Sequence, residues 1–466
     1  MKSTTVPSSW MAFNKFRLDS TSYLSGSIEQ MMHLNKLSIR KYPLQSLTLN
    51  GTEGLIEIGR IKPIWVDEPS YGIPFISNTN ILQADLSNIA FISKRTVQSH
   101  PELLVQEGWL LIPCTGPVGN VVYCRSDMSG MACSENILRV VPDPNKIPPG
   151  YLYTYLSSKF GIVLIASFAY GATVRHIAAQ HIAHLPIPRL GEIEKVSHDL
   201  CIKAATLRTQ ANLKLKRAGD LLNKHFRFPK ILPLSHRHGD LSITATSSLQ
   251  LQSRMDATFH DMIASEGDRL IQSLGKTESL SDLVDINTTE KLKRVFVSQE
   301  YGVPFFTQAE VGRLRYSPTR FLSRHLLPQD ESWAIHEGDL LLARNSPINK
   351  SAGLGMWADK RFQGSCSSTD ILRLRSDDRK ISSGYIYAYL FLTDIGYRQI
   401  VRTMVGSTKP RLSVRDILAL RIPRTTRDIE SEIGELVREA GNLRAKAQEK
   451  EDTACKIVEQ ALQNIS

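Results

Sequence analysis

Arg344, Asn345 and Ser346 follow directly on the apolar run Leu340–Ala343. Arginine and asparagine present paired hydrogen-bonding groups at a spacing that fits base edges in a major groove, and serine adds a small hydroxyl. The matching place earlier in the chain holds Cys114, Thr115 and Gly116. Ser77-Asn78 and Thr307-Gln308 each end an apolar, Pro-Phe-containing stretch with polar side chains. Gly406-Ser407-Thr408-Lys409 followed by Arg411 joins a flexible turn to hydroxyls and positive charge, suited to a phosphate oxygen or a groove edge. Its earlier counterpart is Gly171-Ala-Thr173-Val-Arg175-His176, poorer in polar reach. These sets are equipped for recognition by hydrogen bonding rather than for breaking bonds. The same residue types also make solvated turns, strand ends and helix caps, as Ser413 before Val-Arg-Asp416 would.

Signatures of catalysis are missing. Gly275-Lys-Thr277 has the tail of a phosphate loop, but Leu270 occupies the position of the required earlier glycine. The chain contains no Asn/Asp-Pro-Pro-Tyr/Phe signature of a methyltransferase and no Gly-x-Ser-x-Gly elbow. His176, His181 and His184 cluster without the HExxH spacing of a metal site, and the six cysteines form no CxxC. Reduced, semi-buried thiols are expected. Lys and Arg number 57 against 46 Asp and Glu, and the net charge of +11 favours a polyanionic partner. With 42% hydrophobic and 22% charged residues the chain can fold, while no apolar run reaches the ~18 residues of a membrane span. A cytoplasmic protein without a membrane partner is expected.

The elements that position these residues occur twice. Tyr71-Gly-Ile-Pro-Phe-Ile-Ser77 returns 230 residues on as Tyr301-Gly-Val-Pro-Phe-Phe-Thr307, and Glu107-Gly-Trp-Leu-Leu111 returns as Glu337-Gly-Asp-Leu-Leu341. Ile137-Leu-Arg139 returns at 371–373, and Gly150-Tyr-Leu-Tyr-Thr-Tyr-Leu156 as Gly384-Tyr-Ile-Tyr-Ala-Tyr-Leu390. Gly171-Ala-Thr173 matches Gly406-Ser-Thr408, and Leu185-Pro-Ile-Pro-Arg189 matches Leu420-Arg-Ile-Pro-Arg424. Arg17-Leu-Asp19 pairs with Arg254-Met-Asp256, which reads as a structural ion pair in each half. One order kept at nearly constant spacing marks an internal duplication.

Each copy closes on a long helix. Leu200, Ala204, Leu207, Ala211, Ala218 and Leu221 step by threes, fours and sevens along one face, and Leu436, Ala440, Leu443, Ala447, Ala454 and Ile457 repeat the face 236 residues on. Alternating Ala and Leu allows close helix approach, so the two helices are expected to pair antiparallel in a coiled-coil-like seam. The fold class is α+β: two mixed α/β domains separated by a helix pair, with pseudo-two-fold symmetry. The expected boundaries are domain 1 at 1–188, central helix 189–227, linker 228–250, domain 2 at 251–424 and C-terminal helix 425–466. The stretch from Gly150 to about Ile165 is expected as one helix. Tyr151, Tyr153, Tyr155, Tyr385, Tyr387 and Tyr389 resemble a stacking ladder, but residues two apart do not share a helical face, and core packing is the expectation.

This ordered set resembles the specificity subunit of type I restriction-modification systems over nearly the whole chain. The second half carries the family's pattern in Glu337-Gly-Asp-Leu-Leu-Leu-Ala-Arg344 and Gly406-Ser-Thr-Lys-Pro-Arg-Leu-Ser413. The first half departs from it: Trp109 stands where the second has Asp339, and 171–177 lacks the serine. The resemblance implies two target-recognition domains on double-stranded DNA, reading a bipartite, asymmetric site. It also implies docking of two methyltransferase subunits and of restriction/translocase subunits. S-adenosylmethionine, ATP and magnesium would belong to those partners, with no cofactor bound directly. Two other readings stand beside it: the DNA-specificity subunit of another methylation-based phage-defence system, and a self-contained nuclease or methyltransferase.

Overall fold

The computed structural model describes residues 5–13, 23–24, 26–87, 89–169, 176–229, 245–252, 254–287, 292–345, 353–406 and 410–465. The chain divides into two compact units, Met1–Leu82 with Ile89–Thr209 and Lys446–Ser466, and Gln83–Asn88 with Gln210–Ala445. The division runs through the middle of both long helices, so each unit holds one globular copy and a segment of each helix. Among the described residues no helix is long and apolar enough to cross a membrane.

In the first unit the strands are β1 (Lys41–Pro43), β2 (Leu55–Ile56), β3 (Trp65–Val66), β4 (Gly72–Ile76), β5 (Phe91–Ser93), β6 (Leu110–Pro113), β7 (Val122–Tyr123), β8 (Ala132–Cys133), β9 (Ile137–Val140) and β10 (Pro186–Pro188). They form an antiparallel sheet β2-β9-β6-β7, a mixed sheet β3-β5-β4-β8 closed by the parallel pair β4/β8, and the ribbon β1-β10. The second unit repeats this with β11 (Thr277–Ser279), β12 (Val284–Asn287), β13 (Phe296–Val297), β14 (Gly302–Phe306), β15 (Phe321–Ser323), β16 (Leu340–Ala343), β17 (Gly355–Trp357), β18 (Cys366–Ser367) and β19 (Ile371–Ser376). It also has the ribbon β20 (Met404–Val405) with β21 (Arg411–Leu412), and ends on β22 (Arg421–Pro423), paired to β11. The orders β12-β19-β16-β17 and β13-β15-β14-β18 match the first unit strand for strand. Register is kept too: Leu111 faces Arg139 as Leu341 faces Arg373. The α+β reading and the duplication are thus features of the fold.

The repeated sequence letters have physical causes. Gly108 and Gly338, each one turn before the buried strands β6 and β16, have φ of 87° and 94°, a region that side chains with a Cβ resist. Gly72 and Gly302 lie so close to Phe91 and Phe321 that a Cβ would sit 2.6 Å from the neighbouring Cβ in both cases. Arg139 and Arg373 are fully buried. Arg139 donates to the carbonyls of Cys133, Ser134 and Ile137, and Arg373 to those of Ser332, Trp333 and Ala334. Turning the guanidinium donors onto backbone oxygens offsets the desolvation of the charge.

The expected single helix after Gly150 is two, α1 (Pro149–Ser157) and α2 (Lys159–Ser167). Ser158 breaks it: its hydroxyl donates to Tyr155 O at 2.6 Å and accepts from Gly161 N, capping α2. Thr393 does the same in the second unit, between the helices Ser383–Leu392 and Asp394–Arg402. The six tyrosines are buried; the Tyr151 and Tyr155 hydroxyls donate to Pro188 O and Pro186 O, and that of Tyr385 to Pro423 O. All six cysteines are buried and none is in a disulfide.

The long helices are α3 (Glu192–Phe226) and, after α4 (Ser383–Leu392) and α5 (Asp394–Arg402), α6 (Arg427–Asn464). Each begins at a clip in which an arginine on the preceding strand or loop holds a first-turn glutamate: Arg189 on Glu194 and Arg424 on Glu430, both bidentate. The same glutamates accept the backbone N–H of Leu190 and Thr425, satisfying donors at the start of the helix. Within the second unit Asn212 accepts from Arg444, Lys214 pairs with Glu439 and Arg217 with Glu432, so the helices run antiparallel.

The line of full burial lies one residue away from half of the expected seam. Ala204, Ala211, Ala218, Leu436, Ala440, Ala447 and Ala454 are buried as expected, whereas Leu200, Leu207, Leu221, Leu443 and Ile457 are half-buried at its flank. The alternate seam positions belong instead to Cys201, Arg208, Leu215 and Leu222, and 236 residues on to Val437, the half-buried Arg444, Glu451 and Val458. Arg208 and Glu451 meet there in a bidentate pair at 3.1 and 2.8 Å, with side chains 3% and 6% exposed. A charged residue in the stripe conceals its phase from a reading that follows hydrophobic residues.

Candidate nucleic-acid interface

In the second unit three segments far apart in sequence converge where β14, β16 and β21 meet. Gln308 follows β14, and its side chain grips Asn345 by the backbone, accepting from Asn345 N at 2.9 Å and donating to Asn345 O. The Asn345 amide donates to Asp370 Oδ1 at 2.5 Å, just before β19, and Arg344 N donates to Asp370 O at 2.9 Å. Leu412 N donates to Arg344 O at 2.9 Å, and Asn345 bridges to Arg411. Two arginines, 344 and 411, therefore sit on neighbouring backbones, with Arg344 half-buried and Arg411 exposed. Thr307 is occupied in capping: its hydroxyl donates to Glu310, which also accepts Thr307 N at 2.7 Å.

The first unit brings the equivalent segments together. Asn78 Nδ2 donates to Thr115 Oγ1 at 2.7 Å, Cys114 N donates to Asn136 O at 2.8 Å, Ile177 N donates to Cys114 O at 2.9 Å, and Thr115 bridges to His176. Asn136 holds the place of Asp370 and His176 that of Arg411. Ser77 donates to Asn80 Oδ1 at 2.5 Å and so is tied within its own turn. The cluster lacks both arginines: Cys114 stands in place of Arg344 and His176 in place of Arg411, with Thr115 in place of Asn345.

Ser77, Asn78, Thr115, His176, Thr307, Gln308, Arg344, Asn345 and Arg411 are thus placed at two equivalent clusters. Thr173, Arg175, Ser346, Ser407, Thr408 and Lys409 lie outside the described residues, as do Arg17, Asp19 and most of the expected linker. The second-half counterpart of that ion pair is present: Arg254 binds Asp256 at 2.6 Å and Asp416 at 2.8 Å. Sequence reading passed over Asp370 and Asn136, which anchor the clusters; their place just before a repeated Ile-Leu-Arg strand was the available signal. Among the described residues no group of His, Cys, Asp and Glu could hold a metal ion.

No family model matches the chain and no curated protein matches its sequence. Among solved structures it is similar to the S subunit of a type I restriction-modification system from M. genitalium, at 13% identity over 92% of this chain and 96% of that one, with a TM-score of 0.32. It is similar also to a chain from a structure of complex assembly and conformational transition in the type I R-M system (16% identity, 92% and 100% covered, TM-score 0.28). A third is the HsdS subunit from Thermoanaerobacter tengcongensis (14%, 92% and 97%, TM-score 0.25).

Proposed function

We propose that this chain is a non-catalytic, sequence-specific double-stranded DNA recognition subunit of a type I restriction-modification complex. Each copy reads one half of a bipartite, asymmetric site. The observation that carries this reading is the convergence of three polar segments into a cluster in each of two duplicated units, with different side chains in each. Duplication supplies two similar readers, and the differing side chains give them different targets. The net charge of +11 supports a polyanionic partner.

The paired helices would dock two methyltransferase subunits, with restriction/translocase subunits joining them. S-adenosylmethionine, ATP and magnesium would serve those partners. The test is to sequence methylated sites in cells carrying this chain and its methyltransferase. Two unlike half-sites around an unread spacer are expected, and a palindromic motif would overturn the reading. Arg344→Ala should relax choice at one base of one half-site, costing roughly 1–3 kcal/mol. Equal weakening on all sequences would reassign Arg344 to a phosphate.

A further inference from the structure

Beside the second unit's cluster, two exposed arginines lie on aromatic rings. Phe305 of β14 and Phe296 of β13 pack edge to face at 5.6 Å. The Arg320 guanidinium lies over both rings, 5.7 Å from the centre of Phe296 and 5.8 Å from that of Phe305, and Arg294 lies 5.6 Å from the centre of Phe305. Cation–π contact holds a guanidinium over a ring without consuming its N–H donors. Neither arginine has an acidic partner among the described residues.

The pair is continuous with the cluster. Arg294 Nη2 donates to Thr369 Oγ1 at 3.0 Å, and the next residue, Asp370, holds Asn345. A track of arginines thus runs from Arg411 and Arg344 past Thr369 and the carboxylate of Asp370 to Arg294 and Arg320. The first unit keeps the aromatic pair, Trp65 and Phe75 at 5.1 Å, but Pro63 and Ala90 stand where the arginines would be.

We infer that Arg294 and Arg320 form a sequence-independent clamp on the phosphodiester backbone of duplex DNA, present in the second unit alone. This rests on the DNA-recognition reading and assigns the track its ligand: guanidiniums held over aromatic rings, with no acidic partner among the described residues, keep donors for phosphate oxygens and carry no base information. Each phosphate contact contributes about 0.9 to the slope of log affinity against log salt.

The test uses the full chain assembled with its methyltransferase subunits, titrated against a duplex carrying its mapped site and against a scrambled duplex. The Arg294→Gln/Arg320→Gln variant should bind both duplexes more weakly by the same factor. Its salt slope should be shallower by about 1.8, so that the advantage of the wild type shrinks roughly tenfold between about 50 and 200 mM salt. Its methylated motif should be unchanged. Phe296→Leu, which keeps both charges and removes one ring, should weaken binding less and leave the slope near that of the wild type. An unchanged slope in the double variant overturns the inference, as does a changed motif, which would make these base contacts. Normal DNA binding with impaired subunit assembly would instead assign the track to an acidic protein. A wild-type complex that did not distinguish the two duplexes would sink the DNA-recognition reading itself.

Discussion

Asp339 and Trp109 occupy the same place in the two copies and solve the same packing problem by different chemistry. Asp339 is 1% exposed; it binds Arg375 through two hydrogen bonds at 2.7 and 2.8 Å and accepts His336 N at 2.8 Å. The first copy has Trp109 there and Val141 in the place of Arg375. An ion pair in one copy is an apolar pair of residues in the other, and the strands around them keep their register. The aspartate therefore belongs to the packing beneath β16 rather than to the recognition loop.

A few residues away the exchange is a reversal. Arg125 binds Asp127 at 2.9 Å in the first copy, and the same two positions hold Asp359 and Arg361, paired at 2.8 Å, in the second. In the helices Arg208 meets the carboxylate of Glu451, whereas its counterpart Arg444 meets the neutral Asn212. These pairs teach one rule: a buried polar side chain needs partners, which an opposite charge or a neutral acceptor can supply, and several residue sets meet it.

The largest effect should separate the two helix arginines. Arg208→Ala leaves Glu451 charged and buried, and should cost about 3–5 kcal/mol in denaturant unfolding. Arg444→Ala, which strands no charge, should cost about 1–2 kcal/mol. Replacing Arg208 and Glu451 together by Leu should recover most of the loss; equal costs for the two single variants would erase the contrast.

Next in size, Asp339→Ala should cost about 3 kcal/mol by removing the acid that Arg375 and the fully buried Arg373 share. Transplanting the first copy's solution, Asp339→Trp with Arg375→Val, should lie closer to wild type in thermal midpoint than Asp339→Ala does. A double variant worse than the single would show that the two pairs are not interchangeable.

The smallest effect is pH-dependent and confined to the first unit. His198 Nδ1 accepts Gly150 N at 3.0 Å, and burial holds the imidazole below its ordinary pKa despite the opposing charge of Asp199. The second copy has Gly434 there, against which Gly384 packs closely. Because the unfolded chain takes up the proton first, this contribution is complete above about pH 6.5 and is lost as pH falls through that value toward the lower folded pKa. The first unit should therefore lose midpoint relative to the second between about pH 8 and about pH 5.5. His198→Gln should abolish that difference, and a variant still showing it would place the titration elsewhere.

Sequence alone determined the duplication, the α+β class, the order of the repeated strands and the two long helices, because glycine turns, apolar runs and helical periodicity are local and were written twice. It also marked the polar ends of β4, β6, β14 and β16. Tertiary structure decided the rest. The 3-4 period defined a helical stripe but not its phase, since Arg208 and Glu451 fill seam positions that a hydrophobic reading assigns to surface. Asn78 reaches Thr115, and Gln308 reaches Asn345, across 37 residues in both copies. Spacing along the chain carries no trace of such a contact, which exists only once the strands are paired. The same holds for Arg294 and Arg320: in sequence Arg320 is legible as one of a basic run, Arg313, Arg315, Arg320, Arg324 and His325, suited to sugar-phosphate contacts, but the rings that β13 and β14 bring beneath the two arginines are not.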